Sequence, residues 1–196
     1  MKKCLYVDCC IRRDESRTKE LADSFFNELS GYDVKHLVLE KEDLKPLVGD
    51  FFFQREVLLA KGELNHSRFN YAHEFADADL VIMAAPFWDL NIPALLKIYI
   101  ENISVDGITF SSTEEGLKGL CKASHLVFFT TRGGIYGDDS PLESAFHYLG
   151  SFVPFYGFGD FIGIYADGMD IVGFDSKNSL NQAKEKAVQL AKELSI

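Results

Sequence analysis

Residues 79–103 read DLVIMAAPFWDLNIPALLKIYIENI, and this stretch decides the fold class. Residues 79–86 are continuously apolar, which is typical of a strand buried on both faces of a parallel sheet. Pro93 suits the first turn of a helix over PALLKIYIENI, because the N–H that proline lacks is unpaired there anyway. The stretch therefore predicts one strand–loop–helix unit of an α/β sheet.

The same alternation continues on both sides of this unit. Apolar runs of strand length are followed by segments with apolar residues at helical spacing. Strands are predicted at 3–8, 32–39, 79–86, 125–131 and 161–166, and helices at 16–30, 66–77, 93–103, 141–149 and 176–194. Residues 40–64 show poor periodicity, and Phe51, Phe52 and Phe53 within them resist assignment. We predict a doubly wound, five-stranded parallel sheet with helices on both faces, and a single domain over 1–196.

Composition excludes several classes of protein. The 196 residues carry 20 Lys and Arg against 30 Asp and Glu, a net charge of −10, which disfavours nucleic-acid binding. No apolar run reaches the length of about 18 residues that a bilayer requires, so we expect no membrane span. The early charges argue against a signal peptide, and four cysteines without metal-ligand spacing favour a reduced, cytoplasmic protein.

Three loops follow predicted strands and should meet, because ligands of such sheets bind outside the carboxyl ends of the strands. The first loop, residues 9–18, offers Ser16 and Thr18 at a helix start among Arg12, Arg13, Arg17 and Lys19. Hydroxyls and backbone N–H groups at a helix N-terminus suit a phosphate. Simple N-capping by Ser16 is the alternative explanation.

The other two loops are aromatic and glycine-rich. Residues 85–91, APFWDLN, could cover a flat heterocycle or pack into the core. Residues 130–139, TTRGGIYGDD, could bring backbone N–H groups close to a ligand, or form an ordinary glycine turn. Together the three loops describe a site for a mononucleotide with a flat ring, and FMN fits that description.

Three motifs carry a resemblance to a known family: APFWDLNIPALLKIYIE, GITFSSTEEGLKGL and TTRGGI. They resemble those of the FMN-dependent NADH-azoreductases, within the flavodoxin-like NAD(P)H:quinone oxidoreductases. The resemblance implies an FMN site and a pocket for the electron acceptor. By position, the FMN site comprises Cys10, Ser16, Arg17, Thr18, Pro86, Phe87, Trp88, Asp89, Leu90, Thr131, Arg132, Gly133 and Gly134, and the acceptor pocket comprises Phe155, Tyr156 and Phe158.

The resemblance further implies a homodimeric enzyme with the chemistry on FMN and no catalytic side chain. NADH or NADPH would reduce the flavin by hydride transfer, and a quinone or azo compound would then take two electrons in a ping-pong cycle. An electron carrier that docks a redox protein is the rival function, and a redox-silent FMN or ligand sensor is a third. The aromatic residues at 51–53 and 151–161 exceed what one core would need, which favours an interface between two subunits. Core packing before the last strand would also explain the group at 151–161.

The sequence departs from the family pattern at two places. Cysteines stand at 9 and 10 where the family has serine, and they are either redox-active at a helix start or buried filler. Asp89 stands where the family has an amide. An ionised Asp89 near the ring would oppose flavin reduction, unless it points outward and caps the turn before Pro93. None of the five histidines forms a metal-binding pattern, so we expect no metal site.

Overall fold

The computed structural model describes residues 1–137 and 140–196 as strands and helices in alternation. Asp138 and Asp139, at the end of the predicted glycine-rich loop, lie outside the described residues. The strands are β1 (Lys2–Asp8), β2 (Tyr32–Val38), β3 (Leu80–Ala84), β4 (Phe110–Thr113), β5 (Gly116–Gly119), β6 (His125–Thr131) and β7 (Asp160–Ala166). The helices are α1 (Arg17–Phe26), α2 (Gly49–Ala60), α3 (Asn70–Asp77), α4 (Ala94–Ile103), α5 (Ser144–Gly150), α6 (Phe152–Tyr156) and α7 (Ser176–Leu194).

Five of the strands form one sheet in the order β2-β1-β3-β6-β7, and every neighbouring pair is parallel. The chain leaves β1 for β2 on one side and then returns to β3 on the other. The order therefore reverses between β1 and β3, and their carboxyl ends form the switch point where such sheets bind ligands.

Helices cover both faces of the sheet, because alternate strand residues point in opposite directions. On β1, Leu5 and Val7 belong to a core with α3, α4, α5 and α6, whereas Cys4 and Tyr6 belong to a second core with α1 and α7. The predicted flavodoxin-like fold, with its five parallel strands and two helical layers, is confirmed.

Four elements were not predicted from the sequence: α2, the hairpin strands β4 and β5, and the short helix α6. The segment that contains Phe51, Phe52 and Phe53 is α2, a helix in which no residue is buried. It lacks an apolar stripe because its apolar side chains are distributed around the helix instead of facing one core. The antiparallel hairpin of β4 and β5 is short and largely exposed, so its sequence shows no apolar alternation.

Among the described residues, no helix combines the length and apolar character needed to cross a bilayer. All four cysteines are buried and unbridged. No group of three or more His, Cys, Asp or Glu side chains within residues 1–137 and 140–196 could hold a metal ion.

Candidate functional site

The three loops predicted to hold a ligand meet in one cleft at the carboxyl edge of the sheet. The cleft has a volume of about 100 Å³. It lies beside the switch point between β1 and β3, and the loop after β7 closes one side. Its lining residues are Arg12, Glu15, Ser16, Arg17, Thr18, Pro86, Phe87, Trp88, Thr131, Gly133, Met169 and Asp170.

The first wall of the cleft is the start of α1. Ser16 is the N-cap residue, and its hydroxyl accepts a hydrogen bond from the Lys19 N–H at 3.2 Å. The Thr18 hydroxyl lies 2.7 Å from that of Thr131, which ties α1 to the carboxyl end of β6. A helix N-terminus with free N–H groups and hydroxyls favours an anion. Capping by Ser16 and an anion site at α1 are therefore compatible.

Arg17 joins this wall to the loop after β7. Its guanidinium donates to the Met169 carbonyl at 2.8 Å and to the Asp170 carboxylate at 3.2 Å. Arg12 also lines the cleft. Two cations therefore lie at the end of the cleft where the helix dipole already favours negative charge.

The aromatic wall is a strained turn after β3. The Trp88 N–H donates to the Asn91 carbonyl at 2.9 Å, and the Asn91 N–H donates to the Trp88 carbonyl at the same distance. Asp89 and Leu90, the two central residues, have φ of 49° and 64°. This is the geometry of a type I′ turn, which favours Asn-Gly, and a non-glycine residue there costs about 1–2 kcal/mol. The Leu90 carbonyl accepts a bond from the Ser144 N–H at 3.3 Å, which anchors the turn to α5.

The turn divides the predicted ring-binding residues into two groups. Pro86, Phe87 and Trp88 line the cleft, whereas Asp89 and Leu90 occupy the exposed tip of the turn and are outside the lining. In this chain, the structure therefore does not bring the side chains of Asp89 and Leu90 into the cleft.

The glycine loop is paired with the loop after β7 by backbone hydrogen bonds. The Asp170 N–H donates to the Gly133 carbonyl at 3.1 Å, and the Gly168 N–H donates to the Gly134 carbonyl at 2.9 Å. A Cβ added to Gly133 would lie 2.6 Å from an oxygen of the Asp170 carboxylate. A side chain at position 133 would therefore have to displace the exposed Asp170 carboxylate, and the backbone of the loop borders the cleft.

Arg132, which was predicted to border the ligand, does not contribute its side chain to the lining of the cleft. Arg132 is fully buried, and its guanidinium makes a paired contact with the Asp167 carboxylate, including an Nη2–Oδ2 bond of 2.9 Å. The guanidinium also lies over the Tyr165 ring, 3.7 Å from its centroid. The positive charge of Arg132 is therefore neutralised by Asp167, an acid 35 residues later in the chain, and not by a ligand. Arg132 therefore fixes the loop from beneath.

Cys10 likewise lies beneath the cleft. Its N–H donates to the Asp8 carboxylate at 2.8 Å, and its thiol donates to the Ala84 carbonyl at 3.7 Å. Burial raises the pKa of Cys10 well above its usual range and that of Cys9 to about 12. These thiols are thus buried filler, because a reactive cysteine needs an accessible thiolate.

Of the three residues predicted to line an acceptor pocket, Phe155, Tyr156 and Phe158, the last two are buried in the core. The Tyr156 hydroxyl is 2.7 Å from that of Ser104, and its carbonyl accepts from the Cys121 N–H just before β6. These contacts place the segment at the amino edge of the sheet, opposite the cleft. Phe155 lies there too, against Phe110, with ring centroids 4.8 Å apart.

Three lining residues were missed by sequence analysis: Glu15, Met169 and Asp170. Glu15 lies inside a loop that was considered only for its cations and hydroxyls. Met169 and Asp170 follow β7, so the rule that ligands bind beyond the carboxyl ends of strands could have included them. No motif in their sequence distinguishes them.

Comparison with known proteins shows the family to which the chain belongs. A family profile described as "Flavodoxin-like fold" matches residues 2–191. A relative named "FMN-dependent NADH:quinone oxidoreductase", from Clostridium perfringens (strain SM101 / Type A), is 38% identical, and the alignment covers 98% of this chain and 99% of that protein. The chain belongs to the flavodoxin-like family that includes the FMN-dependent NADH:quinone oxidoreductases.

Solved structures show the same flavodoxin-like architecture throughout the chain. The crystal structure of an azoreductase from Bacillus anthracis str. Sterne superposes with a TM-score of 0.87 at 26% identity, covering 99% of this chain and 100% of that one. An FMN-dependent NADH-azoreductase from Bacillus anthracis str. Ames Ancestor, solved in complex with FMN, has a TM-score of 0.86 at 21% identity and covers 100% of both chains. At that lower identity the likeness supports the fold alone.

Proposed function

We propose that this protein is an oxidoreductase that holds FMN in the carboxyl-edge cleft and passes two electrons from NADH or NADPH to a quinone or azo compound. The observation that carries the proposal is the meeting of three features in one cleft: a helix N-terminus with hydroxyls, an aromatic wall and a glycine backbone. Relatives named FMN-dependent NADH:quinone oxidoreductases, at 38% identity, support the same assignment.

The donor set of the cleft fits an FMN phosphate at one end. Ser16 and Thr18 offer hydroxyls at the start of α1, while Arg12 and Arg17 supply positive charge. Charge-assisted hydrogen bonds to a phosphate are about twice as strong as neutral ones. The first turn of α1 is therefore the part of this chain that would hold the phosphate.

The other end of the cleft fits a flat ring system. Phe87 packs on Tyr136 with ring centroids 5.1 Å apart, so its position is fixed by the loop after β6. Trp88 is 40% exposed, which leaves part of its indole available for contact. Gly133 and Gly134 present backbone without side chains on the facing wall. These residues would orient the ring and exclude water from one side.

When bound, FMN supplies the capacity to accept a hydride from the nicotinamide and to pass the electron pair on, in a ping-pong cycle. The chain's own task is to bind and orient, because no histidine or cysteine lines the cleft within the described residues. Reduction of a quinone to a hydroquinone consumes two electrons and two protons; the nicotinamide gives both electrons with one proton, and solvent gives the second proton.

A homodimer is the assembly we propose. Val48, Phe53 and Val57 on and beside α2 are 64%, 65% and 52% exposed, which is a large apolar surface for one helix to leave uncovered. In the aromatic segment 151–161, Tyr156 and Phe158 are buried in the core, so they do not support a subunit interface. The support therefore rests on α2. A fully active monomer in sedimentation at assay concentration would contradict this assembly.

The visible spectrum of the purified protein tests the function directly. We expect a flavin spectrum that bleaches completely when NADH or NADPH is added without oxygen and recovers when a quinone follows. An electron carrier would instead accumulate a stable one-electron form with long-wavelength absorbance. Bound flavin that neither nucleotide bleaches would indicate a redox-silent sensor and would contradict the proposal. Free FMN with the same nucleotide is the control for non-enzymatic reduction.

A further inference from the structure

A buried ion pair lies beneath the glycine loop and holds one residue of it. The side chains of Arg132 and Asp167 are 1% and 13% exposed. The Arg132 guanidinium donates to the Tyr136 carbonyl at 3.2 Å, and the Tyr136 N–H donates to the Asp167 carboxylate at 3.4 Å. The Asp167 N–H donates in turn to the Ser179 hydroxyl on α7 at 3.1 Å. The pair therefore anchors the main chain of Tyr136 to α7.

The Tyr136 ring contacts both the aromatic wall and the glycine loop. Its centroid lies 5.1 Å from that of Phe87, which lines the cleft. A Cβ added to Gly134 would lie 3.1 Å from the Tyr136 hydroxyl oxygen, so the ring folds back against the loop. A shift of the Tyr136 main chain would therefore move two walls of the cleft at once.

The glycine loop has its carbonyls occupied and its N–H groups free. The carbonyls of Gly133 and Gly134 accept hydrogen bonds from the loop after β7. Within residues 1–137 and 140–196, the N–H groups of both glycines have no acceptor. Gly133 lines the cleft. Amide N–H groups require a partner when they are taken out of water, so these two are available to a ligand that fills the cleft.

Stability alone does not account for an ion pair at this position. Replacing a buried pair by apolar side chains of similar volume is often neutral or stabilising, because desolvation of the two charges offsets their attraction. What the guanidinium adds is a fixed direction: its planar fork contacts both oxygens of Asp167 and the Tyr136 carbonyl at once. Apolar packing would not orient the loop in this way.

We propose that Arg132 is a positioning residue for the flavin ring, because its pair with Asp167 holds Tyr136 and thereby fixes both the free N–H groups of the glycine loop and the Phe87 ring. The inference rests on the proposed function and adds to it a residue outside the cleft. Arg132 is not part of the lining, so it acts through Tyr136 and not by contact with the ligand.

The midpoint potential of the FMN-loaded protein tests this role. Reduction adds negative charge to the flavin, and a hydrogen bond to a charged acceptor is about twice as strong as one to a neutral acceptor. Arg132→Lys keeps a cation beside Asp167, but an ammonium does not reproduce the planar fork that also holds the Tyr136 carbonyl. We expect the variant to lose about tenfold more affinity for reduced than for oxidised FMN, which lowers the potential by about 30 mV. Titration with dithionite and a reference dye measures the potential without any nicotinamide.

Two further variants follow the route from the ion pair to the ring. Tyr136→Leu keeps the main-chain contacts and removes the ring behind Phe87. Its potential should stay within about 10 mV of the parent, whereas oxidised FMN should bind about fivefold more weakly, as judged by the gain in flavin fluorescence on dilution. Asp167→Asn alters the pair from the other side. It should lower the potential in the same direction as Arg132→Lys, and it serves as the test if Arg132→Lys does not fold.

Leu126→Ala is the control for loss of stability. Leu126 is fully buried near the amino end of β6, the strand that Arg132 follows, and belongs to the core opposite the cleft's edge. Its truncation leaves a cavity and destabilises the fold without touching the loops of the cleft. The potential of this variant should equal that of the parent. Flavin absorbance checks that every variant is fully loaded.

Each outcome has a separate meaning. A potential in Arg132→Lys or Asp167→Asn that matches or exceeds that of the parent would overturn the inference, and so would an equal shift in Leu126→Ala. Undiminished FMN affinity in Tyr136→Leu would overturn the link to Phe87. Failure of NADH and NADPH to bleach the flavin of the parent would instead contradict the proposed function, and the chemical titration of the potential does not depend on that reaction.

Discussion

The two edges of the sheet offer two very different cavities. At the amino edge, a cavity of about 650 Å³ is lined by Lys3, Lys35, Glu74, Asp77 and Lys122 among others. At the carboxyl edge, the cleft measures about 100 Å³. Volume alone would favour the amino edge over the carboxyl edge.

Chemistry reverses that choice. At the amino edge the charges are already paired: Asp77 binds both Lys3 and Lys122, and Lys35 binds Glu74. Hydrogen bonds from Lys122 and Lys3 lower the pKa of Asp77 to about 2. The carboxyl edge instead holds a strained turn, a half-exposed tryptophan and a helix N-terminus. A site is therefore marked by groups that the fold leaves unsatisfied.

The largest contrast concerns the ion pairs of the two edges. Arg132→Met leaves Asp167, which is only 13% exposed, without its partner and should lower the free energy of unfolding by about 3–5 kcal/mol. Lys3→Met removes an exposed pair that water screens and should leave the free energy of unfolding nearly unchanged. Urea unfolding of both variants measures the difference. Similar losses in the two would show that the Arg132–Asp167 pair does not organise the glycine loop.

The next contrast concerns the hydroxyls at the start of α1. Ser16→Ala combined with Thr18→Ala should weaken FMN binding by about 1–3 kcal/mol, because charge-assisted hydrogen bonds to the phosphate are lost. Ser112→Ala with Thr113→Ala makes the same chemical change in the exposed hairpin and should leave the affinity unchanged. Quenching of flavin fluorescence on binding gives both affinities. An unaltered affinity in the α1 variant would remove the phosphate from this helix.

A smaller contrast concerns backbone strain. Leu90→Gly should raise the free energy of unfolding by about 0.5–1 kcal/mol, because glycine adopts a φ of 64° without strain but gains entropy in the unfolded chain. Gly62→Ala, after α2 at a φ of 69° with open space around it, should lower the same quantity by about 1 kcal/mol. Thermal or urea unfolding tests both signs. Destabilisation by Leu90→Gly would mean that the side chain contributes more than its strain costs.

The smallest effect concerns Asp89 and the flavin. Asp89 is exposed at the tip of the turn, so water screens its charge. At about 8 Å in water the carboxylate would disfavour the reduced flavin by about 0.5 kcal/mol, which is about 10 mV for two electrons. The midpoint potential of Asp89→Asn should therefore be about 10 mV more positive than that of the parent, and Asp33→Asn, at the amino end of β2 and the opposite edge of the sheet, should show no shift. If Asp89→Asn matches the parent at every pH, the carboxylate does not sense the flavin.

The strands and the order of the loops could be predicted, because a strand buried on both faces of the sheet has a continuous apolar sequence, as in β3 and β6. Convergence of three loops then followed from parallel topology. Which side chains enter the cleft could not be predicted. The Arg132 side chain turns inward because it pairs with Asp167, which lies 35 residues later in the chain. The Asp89 side chain turns outward because a type I′ turn places it at the tip. Both depend on three-dimensional pairing that no local pattern encodes.

The burial of the cysteines protects the chain from chemical modification. Quinones are electrophiles that arylate thiolates, and a protein that handles them is exposed to self-inactivation at every encounter. Burial raises the pKa of Cys4, Cys9 and Cys121 to about 12, so at neutral pH fewer than about one thiol in ten thousand is ionised. Cys10 is the cysteine nearest the proposed phosphate site, and its pKa is raised further. The fold thus keeps all four of its cysteine thiols buried and in the unreactive form.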